Sequence, residues 1–310
     1  MHSRGARTEI PDPFSFHRGP LLTDEPQIVI FAGCCPSPWA LRLQQHHHKR
    51  FTAAHRDTVL TMETIDLVVV GAGMFGLAAG KTAYQLDPSK SLAILDSGSS
   101  LGGVWSKERL YPGLKSNNML GTYEFPDFPM DLETYGVKPS QHMSGEVMHK
   151  YLSNYAEKFG IVNKIRLNSV VVSAEHQSGA EGGWILTVQN GSTQSQIFAR
   201  KLIIACGLTS EPFLPHIEGQ EDFGVPIFHS KDFLKYADTI DSAKSVTVFG
   251  ATKSGWDVVY AYASKGVKVN WVIRGRSCVK RIFPHHANVH FVTQRAATVP
   301  CGWLRHTSHR

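Results

Sequence analysis

The clearest alternation of apolar and polar segments begins at residue 66. An apolar run over 66–70 (DLVVV) is followed by a glycine turn at Gly71 (GAGMFG), by an alanine-rich stretch to Leu86, and by a second apolar run over 91–96 (SLAILD). Short apolar runs bounded by turn residues are typical of buried strands, whereas the alanine-rich stretch favours a helix. The pattern therefore predicts a strand, a helix and a strand that share a parallel sheet.

The same pattern returns near the end of the chain. Residues 245–249 (SVTVF) precede a second glycine turn at Gly250 (GATKSG), a helix continues through Ala263, and residues 267–273 (VKVNWVI) form the next predicted strand. A repeated strand, glycine turn and helix is typical of nucleotide-binding folds. We therefore expect two such units in one chain.

The residues between the two patterns predict a helix and a hairpin. Apolar residues recur at near-helical spacing over 145–159, and strand-like runs occupy 169–173, 184–189 and 197–205. Asn190-Gly191, between the last two runs, is a favoured hairpin turn. The predicted fold class is α/β, with two Rossmann-like dinucleotide-binding domains.

The two ends of the chain lack such a pattern. Residues 1–61 are rich in Pro, Arg and His, and we expect a disordered N-terminal extension there. Met62 lies four residues before the first strand, so translation from Met62 is a hypothesis. We expect two incomplete domains over 62–214 and 215–274, and an irregular basic tail without further strands over 275–310, so that the fold is truncated at its C-terminus.

Composition and charge exclude several classes of protein. The 310 residues are 42% hydrophobic and 19% charged, as in an ordinary globular protein. The net charge is +2 over residues 1–61, −3 over 62–273 and +7 over 274–310, so the formal +6 arises at the ends. We expect no nucleic-acid-binding face on the fold. The apolar runs are too short for stable membrane insertion.

The cysteines favour a reducing, cytoplasmic location. They show neither a disulfide framework nor the paired spacing of a metal site, and we predict no metal. Hydrolase and zinc-protease motifs are absent from the sequence. The five cysteines are Cys34, Cys35, Cys206, Cys278 and Cys301.

The first glycine turn has the spacing of a dinucleotide site. Gly71 permits the tight turn, Gly73 lets a pyrophosphate approach the backbone, and Gly76 lets the helix pack on the strand. Asp96 ends the next strand, where its carboxylate accepts hydrogen bonds from ribose hydroxyls and repels a 2′-phosphate. The first nucleotide is therefore expected to be FAD or NAD. The alternative is an ordinary glycine turn beside a surface aspartate.

Three motifs follow this turn in order: GGVW from Gly102, YPGLKSN ending at Asn117, and FPDFP. With them the chain resembles the flavin-containing monooxygenase family, close to the FAD-dependent monooxygenases of fungal secondary-metabolite pathways. The resemblance implies that Gly102, Gly103 and Trp105 wrap the flavin and that Asn117 lies at its reactive edge. A Pro/Gly/aromatic loop packed on the sheet is the alternative for each single residue.

A further turn supports the resemblance. Ala205-Cys206-Gly207 is similar to the family's Ala-Thr-Gly turn near the FAD, with cysteine in place of threonine. The resemblance therefore implies that Gly207 borders the cofactor.

A fingerprint of the family precedes the second glycine turn. Phe223, His229 and Phe233 match it in spacing, which implies a cofactor role for His229. Val225 stands where the fingerprint has its central glycine, and Gly224 comes one place early. A packed or surface histidine is the alternative.

The second glycine turn favours a different nucleotide. Gly250, Ser254 and Gly255 belong to a turn that lacks the middle glycine, and the next strand ends in Arg274 and Arg276 without an acid. A guanidinium group there can clamp a 2′-phosphate, which favours NADPH over NADH. Arg274 is the family's matching basic position. A solvated strand end is the alternative.

The resemblance implies an FAD- and NADPH-dependent monooxygenase, with FAD in 62–214 and NADPH in 215–274. It would insert one oxygen atom from dioxygen, through a flavin hydroperoxide, into a small organic substrate such as a fungal natural-product intermediate. Two alternatives stay open: a truncated, non-catalytic fragment of such an enzyme, and a plain NAD(P)-binding scaffold. The oxygenation type and the oligomeric state are left open by the sequence.

Overall fold

The chain divides into two units. We call Cys35–Glu211 the first unit, and Met1–Cys34 with Pro212–Arg310 the second unit. Within the part that the structure describes, no helix has the length and apolarity needed to cross a bilayer. The computed structural model describes residues 28–31, 62–179, 182–207, 211–274 and 289–294.

Thirteen strands and five α-helices lie in the described residues. The strands are β1 (Ile28–Phe31), β2 (Glu63–Val70), β3 (Leu92–Leu95), β4 (Lys115–Met119), β5 (His142–Ser144), β6 (Ile165–Arg166), β7 (Val170–Gln177), β8 (Gly183–Asn190), β9 (Thr193–Ile204), β10 (Ile227–His229), β11 (Ser245–Phe249), β12 (Lys268–Arg274) and β13 (Val289–Gln294). The helices are α1 (Met74–Leu86), α2 (Leu132–Tyr135), α3 (Gly145–Lys158), α4 (Thr239–Ser242) and α5 (Lys253–Ala263).

The first unit is built on a six-stranded sheet in the order β6-β3-β2-β9-β8-β7. β6, β3, β2 and β9 run parallel, whereas β8 and β7 continue the sheet as antiparallel strands. Val68 and Val69 of the central strand β2 are fully buried, because both faces of the sheet are covered there. The predicted hairpin is confirmed: Asn190 pairs with Thr193, and Gly191 has a φ of +57°.

The α3 helix supplies the main helical layer of the first unit. It begins at the N-cap Ser144, whose hydroxyl oxygen accepts a hydrogen bond from the Val147 N–H at 3.3 Å. Tyr151 and Tyr155 of this helix are buried against a loop that carries the rings of Phe125 and Phe128. The predicted helix over 145–159 is therefore confirmed to within one residue.

The second unit contains a five-stranded sheet in the order β10-β1-β11-β12-β13, in which all pairs are parallel. β11, the second glycine turn and α5 follow one another as the sequence predicts. Val246, Val248, Val269 and Trp271 from β11 and β12 are fully buried. The second strand, helix and strand pattern is confirmed.

Two predictions about the ends of the chain are wrong in part. Residues 28–31, inside the predicted disordered extension 1–61, form β1, and residues 289–294, inside the predicted irregular tail 275–310, form β13. β1 completes its hydrogen bonds with β10 and β11, which are distant in sequence, so local periodicity does not reveal it. β13 pairs with β12, the strand that precedes it in the chain. The boundary between the units falls between Glu211 and Pro212, three residues before the predicted one.

Tyr151 generates a first prediction. Its hydroxyl accepts a hydrogen bond from the Phe125 N–H and donates one to the Phe128 carbonyl oxygen, both at 2.6 Å. Burial raises the pKa of Tyr151, so the donating proton is retained. We expect Tyr151→Phe to lower the free energy of unfolding by about 1–3 kcal/mol, because two backbone groups lose their partner. Urea unfolding measures this change.

Tyr155→Phe is the matched control. Burial raises the pKa of Tyr155 to about 12, yet within the described residues its hydroxyl makes no hydrogen bond. The control variant should therefore lose clearly less stability than Tyr151→Phe. Equal losses in the two variants would contradict a specific role for the Tyr151 hydroxyl.

Candidate functional site

The first glycine turn is held by very close backbone packing. Gly71 has a φ of +107°, and a Cβ there would lie 2.5 Å from the Ala205 carbonyl oxygen. A Cβ on Gly76 would lie 1.8 Å from the Gly71 carbonyl oxygen. Side chains are therefore excluded at both positions. The start of α1 consequently packs directly on the end of β2.

Gly73 leaves an open approach to the start of α1. It is the N-cap residue, and among the described residues no side chain caps this helix end. A Cβ on Gly73 would meet nothing closer than the Gly103 Cα, at 3.6 Å. The first turn of α1 also contains no acidic residue. Free N–H groups at a helix N-terminus favour an anion such as a phosphate.

Asp96 holds the turn as well as facing the candidate site. One of its carboxylate oxygens, Oδ2, accepts a hydrogen bond from the Ala72 N–H at 2.6 Å, and Oδ1 accepts one from the Gly98 N–H at 2.7 Å. Each oxygen keeps a second lone pair, so ribose hydroxyls remain possible donors. The sequence predicted the contact of Asp96 with ribose hydroxyls but not its hydrogen bonds to the backbone.

The Gly102-Gly103 turn lies directly against the first glycine turn. Gly102 has a φ of +118°, and its N–H donates to the Ala72 carbonyl oxygen at 2.9 Å. A Cβ on Gly103 would lie 3.1 Å from the Gly73 Cα. The structure thus brings together the two glycine motifs that the sequence analysis singled out separately.

Trp105 is a core residue of the first unit. Its side chain is 7% exposed and meets the Tyr123 ring edge to face, with 6.1 Å between the centroids. Its carbonyl oxygen lies 3.0 Å from His149 Nδ1, which therefore carries the hydrogen. Contact with a cofactor remains a prediction for Trp105.

Asn117 lies on β4, and its side chain is exposed. The neighbouring Ser116 is 2% exposed, and its hydroxyl oxygen accepts a hydrogen bond from the Met143 N–H and donates one to the Asn118 carbonyl oxygen. His142 Nδ1 donates to the Ser116 carbonyl oxygen at 2.9 Å. Met143 and His142 both belong to β5, so the strand that presents Asn117 is held by its partner in the two-stranded sheet.

The turn after β9 meets the same edge of the sheet. The Ala205 N–H donates to the Val70 carbonyl oxygen at 2.8 Å, and Gly207 has a φ of +76°. Burial raises the pKa of the Cys206 thiol. Cys206 is the only cysteine in the described residues, so these contain no redox cysteine pair.

The second glycine turn has the same backbone form as the first. Gly250 has a φ of +119°, its N–H donates to the Val272 carbonyl oxygen at 3.1 Å, and its carbonyl oxygen accepts a hydrogen bond from the Trp271 indole at 2.6 Å. Gly255 is buried in the first turn of α5, beside the half-buried Ser254. These contacts leave the N-terminus of α5 at the carboxyl end of the sheet.

Other sites predicted for the second unit lie around this sheet. His229 ends β10, and its Nδ1 accepts a hydrogen bond from the Lys231 N–H at 3.0 Å, so the ring caps the following turn. Gly224 has a φ of +70°, so it takes the left-handed conformation one place before Val225. Arg274 ends β12, but its side chain lies outside the described residues.

Sequence reasoning missed several residues that hold the site. Ser116 belongs to the YPGLKSN motif, but no role was predicted for it. Ser116, His142 and His149 each contact a backbone atom of a distant segment, so no local pattern reveals their roles. Burial lowers the pKa of the Arg109 guanidinium, while the negative charges of Glu108 and Asp96 oppose that shift, so this arginine lies within the field of Asp96. The missed residues are Arg109, Ser116, His142 and His149.

The fold and these turns define an α/β protein of two units. The sheet is mixed in the first unit and parallel in the second, and in each unit a helix begins at a glycine turn. A family described as pyridine nucleotide-disulphide oxidoreductase matches residues 68–290, and the chain belongs to this family. The chain is 44% identical over 219 residues to an FAD-dependent monooxygenase of Pyrenophora dematioidea. It is 40% identical over 215 residues to the FAD-dependent monooxygenase resA of Aspergillus sclerotiorum.

Solved structures show the same fold at lower identity. The chain matches a closed crystal structure of cyclohexanone monooxygenase with a TM-score of 0.59 and 22% identity, over 70% of this chain and 39% of that one. It matches Tmm of Pelagibacter sp. strain HTCC7211 with a TM-score of 0.61 and 23% identity, over 74% and 55%. Each of the two curated relatives matches 67% of this chain, which spans only 39% and 37% of their lengths.

The close packing at the first turn generates a second prediction. We expect Gly76→Ala to lower the free energy of unfolding by about 3 kcal/mol or more, because the new Cβ meets rigid backbone. Gly73→Ala is the matched control, with a change within about 1 kcal/mol. Denaturant unfolding of the flavin-free protein measures both. A Gly76→Ala protein as stable as the control would contradict the packing described for α1.

Proposed function

We propose that this chain binds FAD in the first unit and NADPH in the second, as parts of an FAD-dependent monooxygenase. The observation that carries the proposal is the convergence of Gly73, the Gly102-Gly103 turn and Asp96 at the start of α1. The names of the similar fungal proteins support the same reaction class. The substrate proposed is a small organic molecule, such as a fungal natural-product intermediate, with dioxygen as the second reactant.

The first unit fits the pyrophosphate and ribose of FAD. A phosphate needs free N–H groups and close backbone approach, which α1 and Gly73 offer. The ribose needs a hydrogen-bond acceptor after β3, where the carboxylate of Asp96 keeps free lone pairs. Gly207 would border the same cofactor from the turn after β9. This part of the proposal uses residues that lie in one unit.

The second unit fits a nucleotide at the carboxyl end of its sheet. Gly250 forms the turn, and Ser254 and Gly255 lie in the first turn of α5. Arg274 ends the next strand, where its positive charge would favour a 2′-phosphate. A cyclohexanone monooxygenase of similar fold is known bound to NADP+. NADPH is therefore the proposed reductant.

Asn117 is proposed as the side chain at the reactive edge of the flavin. When bound, the two cofactors supply reduction and oxygen activation, chemistry that side chains lack. The task of Asn117 is to donate an amide hydrogen bond from a fixed strand, since Ser116 and His142 hold β4 in place. The hydroperoxide route implied by the family resemblance stays a prediction.

The two alternatives from the sequence stay open to test. A non-catalytic fragment would bind flavin weakly or not at all. A plain NAD(P)-binding scaffold would bind a pyridine nucleotide without a flavin. The visible absorption spectrum of the purified chain distinguishes both from the proposal.

The third prediction concerns flavin binding. The unsubstituted chain should retain a flavin band, and Gly73→Ala should weaken FAD binding by at least about 100-fold, because a methyl group occupies the path of the pyrophosphate. Titration of the flavin-free protein with FAD measures this. The stability of the flavin-free variant serves as the control. FAD affinity unchanged by Gly73→Ala would contradict the proposed site.

The fourth prediction concerns coupling. Asn117→Asp replaces the amide donor with a carboxylate, so product formation should fall by roughly 100-fold while NADPH is still consumed. Hydrogen peroxide released per NADPH consumed measures the uncoupling. Asn118→Asp, the next residue along the same strand, is the matched control and should remain coupled. Equal uncoupling in both variants would contradict the assignment.

A further inference from the structure

The strand β1 lies inside the sheet of the second unit, between β10 and β11, although it precedes Met62 in sequence. It is hydrogen-bonded in parallel to β10 on one side and to β11 on the other. The register places Phe31 opposite both His229 and Phe249. The ends of the three strands therefore form one row at the carboxyl edge of the sheet.

The sequence of β1 suits a buried parallel strand. Its four residues, IVIF, are apolar, and three of them are β-branched. Ile30 is fully buried, and Ile28 and Val29 are each 9% exposed. Such a strand loses much apolar burial if it leaves the sheet.

The strand is also the link between two candidate cofactor residues. Within the described residues β10 pairs with β1 alone, and β11 pairs with β1 and β12. His229 at the end of β10 and Gly250 after β11 therefore share one sheet only through β1. Without β1, β10 and β11 would each lack a described neighbour on the side that pairs with β1.

The first unit has a strand in the corresponding place. In the first unit β2 precedes the glycine turn and lies between β3, which follows α1, and β9. In the second unit β11 precedes the glycine turn and lies between β12, which follows α5, and β1. In the first unit the residue that follows β9 contacts the turn itself, since a Cβ on Gly71 would lie 2.5 Å from the Ala205 carbonyl oxygen. β1 thus takes the place in the second unit that β9 takes in the first.

This place borders the expected nucleotide crevice. From β11 the chain continues to β12 and β13 on one side, whereas β1 and β10 lie on the other. In open parallel sheets, ligands bind outside the carboxyl ends of the strands at the point where the strand order reverses. In the second unit that point lies between β11 and β1.

We propose that β1 forms one wall of the nucleotide crevice of the second unit, so that NADPH binding depends on residues encoded before Met62. The inference rests on the proposed binding of NADPH by this unit. It gives a functional role to a segment for which the sequence predicts disorder. It also means that a product starting at Met62 would lack part of the second site.

The experiment uses the full chain with Ile30→Asp, which places a charge at a fully buried position of β1, and with Ile30→Val as the conservative variant. NADPH binding is measured by titration, and hydrogen exchange reports the protection of β11 and β2 amides separately. We expect Ile30→Asp to weaken NADPH binding at least tenfold and to lower protection in β11, with protection in β2 and the flavin band retained. Ile30→Val should behave as the unsubstituted chain.

Each of the other outcomes overturns a defined part of the proposal. NADPH affinity and β11 protection unchanged by Ile30→Asp would overturn the role of β1. Equal loss of protection in β2 and β11 would overturn the assignment of β1 to the second unit. If the unsubstituted chain does not bind NADPH while β11 protection still depends on Ile30, the proposed function of the second unit fails and the crevice role fails with it.

Discussion

The packing of α1 on the first glycine turn is the constraint on which the candidate FAD site depends. A Cβ on Gly76 would lie 1.8 Å from the Gly71 carbonyl oxygen, so the helix approaches the strand as closely as backbone atoms permit. This closeness places the helix N-terminus beside Asp96, whose carboxylate accepts the Ala72 N–H. The Gly102-Gly103 turn then packs against Gly73. The site is thus a set of backbone approaches rather than a cluster of side chains.

This dependence on backbone explains why so much could be predicted. A positive φ or a missing Cβ restricts the amino acid at one position, and the restriction is visible locally as glycine. Gly71, Gly102, Gly207 and Gly250 all have positive φ values in the structure. The predicted α3 helix and the hairpin at Gly191 followed from equally local patterns. The α/β class, the order of the elements and the glycine turns were therefore readable without coordinates.

The remaining features depend on partners that are distant in sequence. β1 is four residues long and lies beside β10 and β11, about 200 residues further along the chain, so nothing local distinguishes it from other short apolar runs. The support of Asn117 has the same origin, because Ser116 acts through the Met143 N–H and His142 acts through a carbonyl oxygen. Asp96 was predicted as a ribose acceptor, but its hydrogen bonds to backbone could not be predicted.

The two units share a backbone plan and differ in the charge near the end of the strand that follows the glycine-turn helix. In the first unit Leu95 accepts the hydrogen bond from the Gly71 N–H, and in the second Val272 accepts the one from the Gly250 N–H. Asp96 is one residue beyond Leu95, directly after β3, whereas Arg274 is two residues beyond Val272, at the end of β12. A carboxylate repels a 2′-phosphate and a guanidinium attracts it, so the two strand ends favour different nucleotides. The helix starts differ less, since Lys253 is paired with Asp257 within α5 and adds little net charge there. The proposed division between FAD and NADPH therefore depends on Asp96 after β3 and Arg274 at the end of β12 more than on the glycine turns.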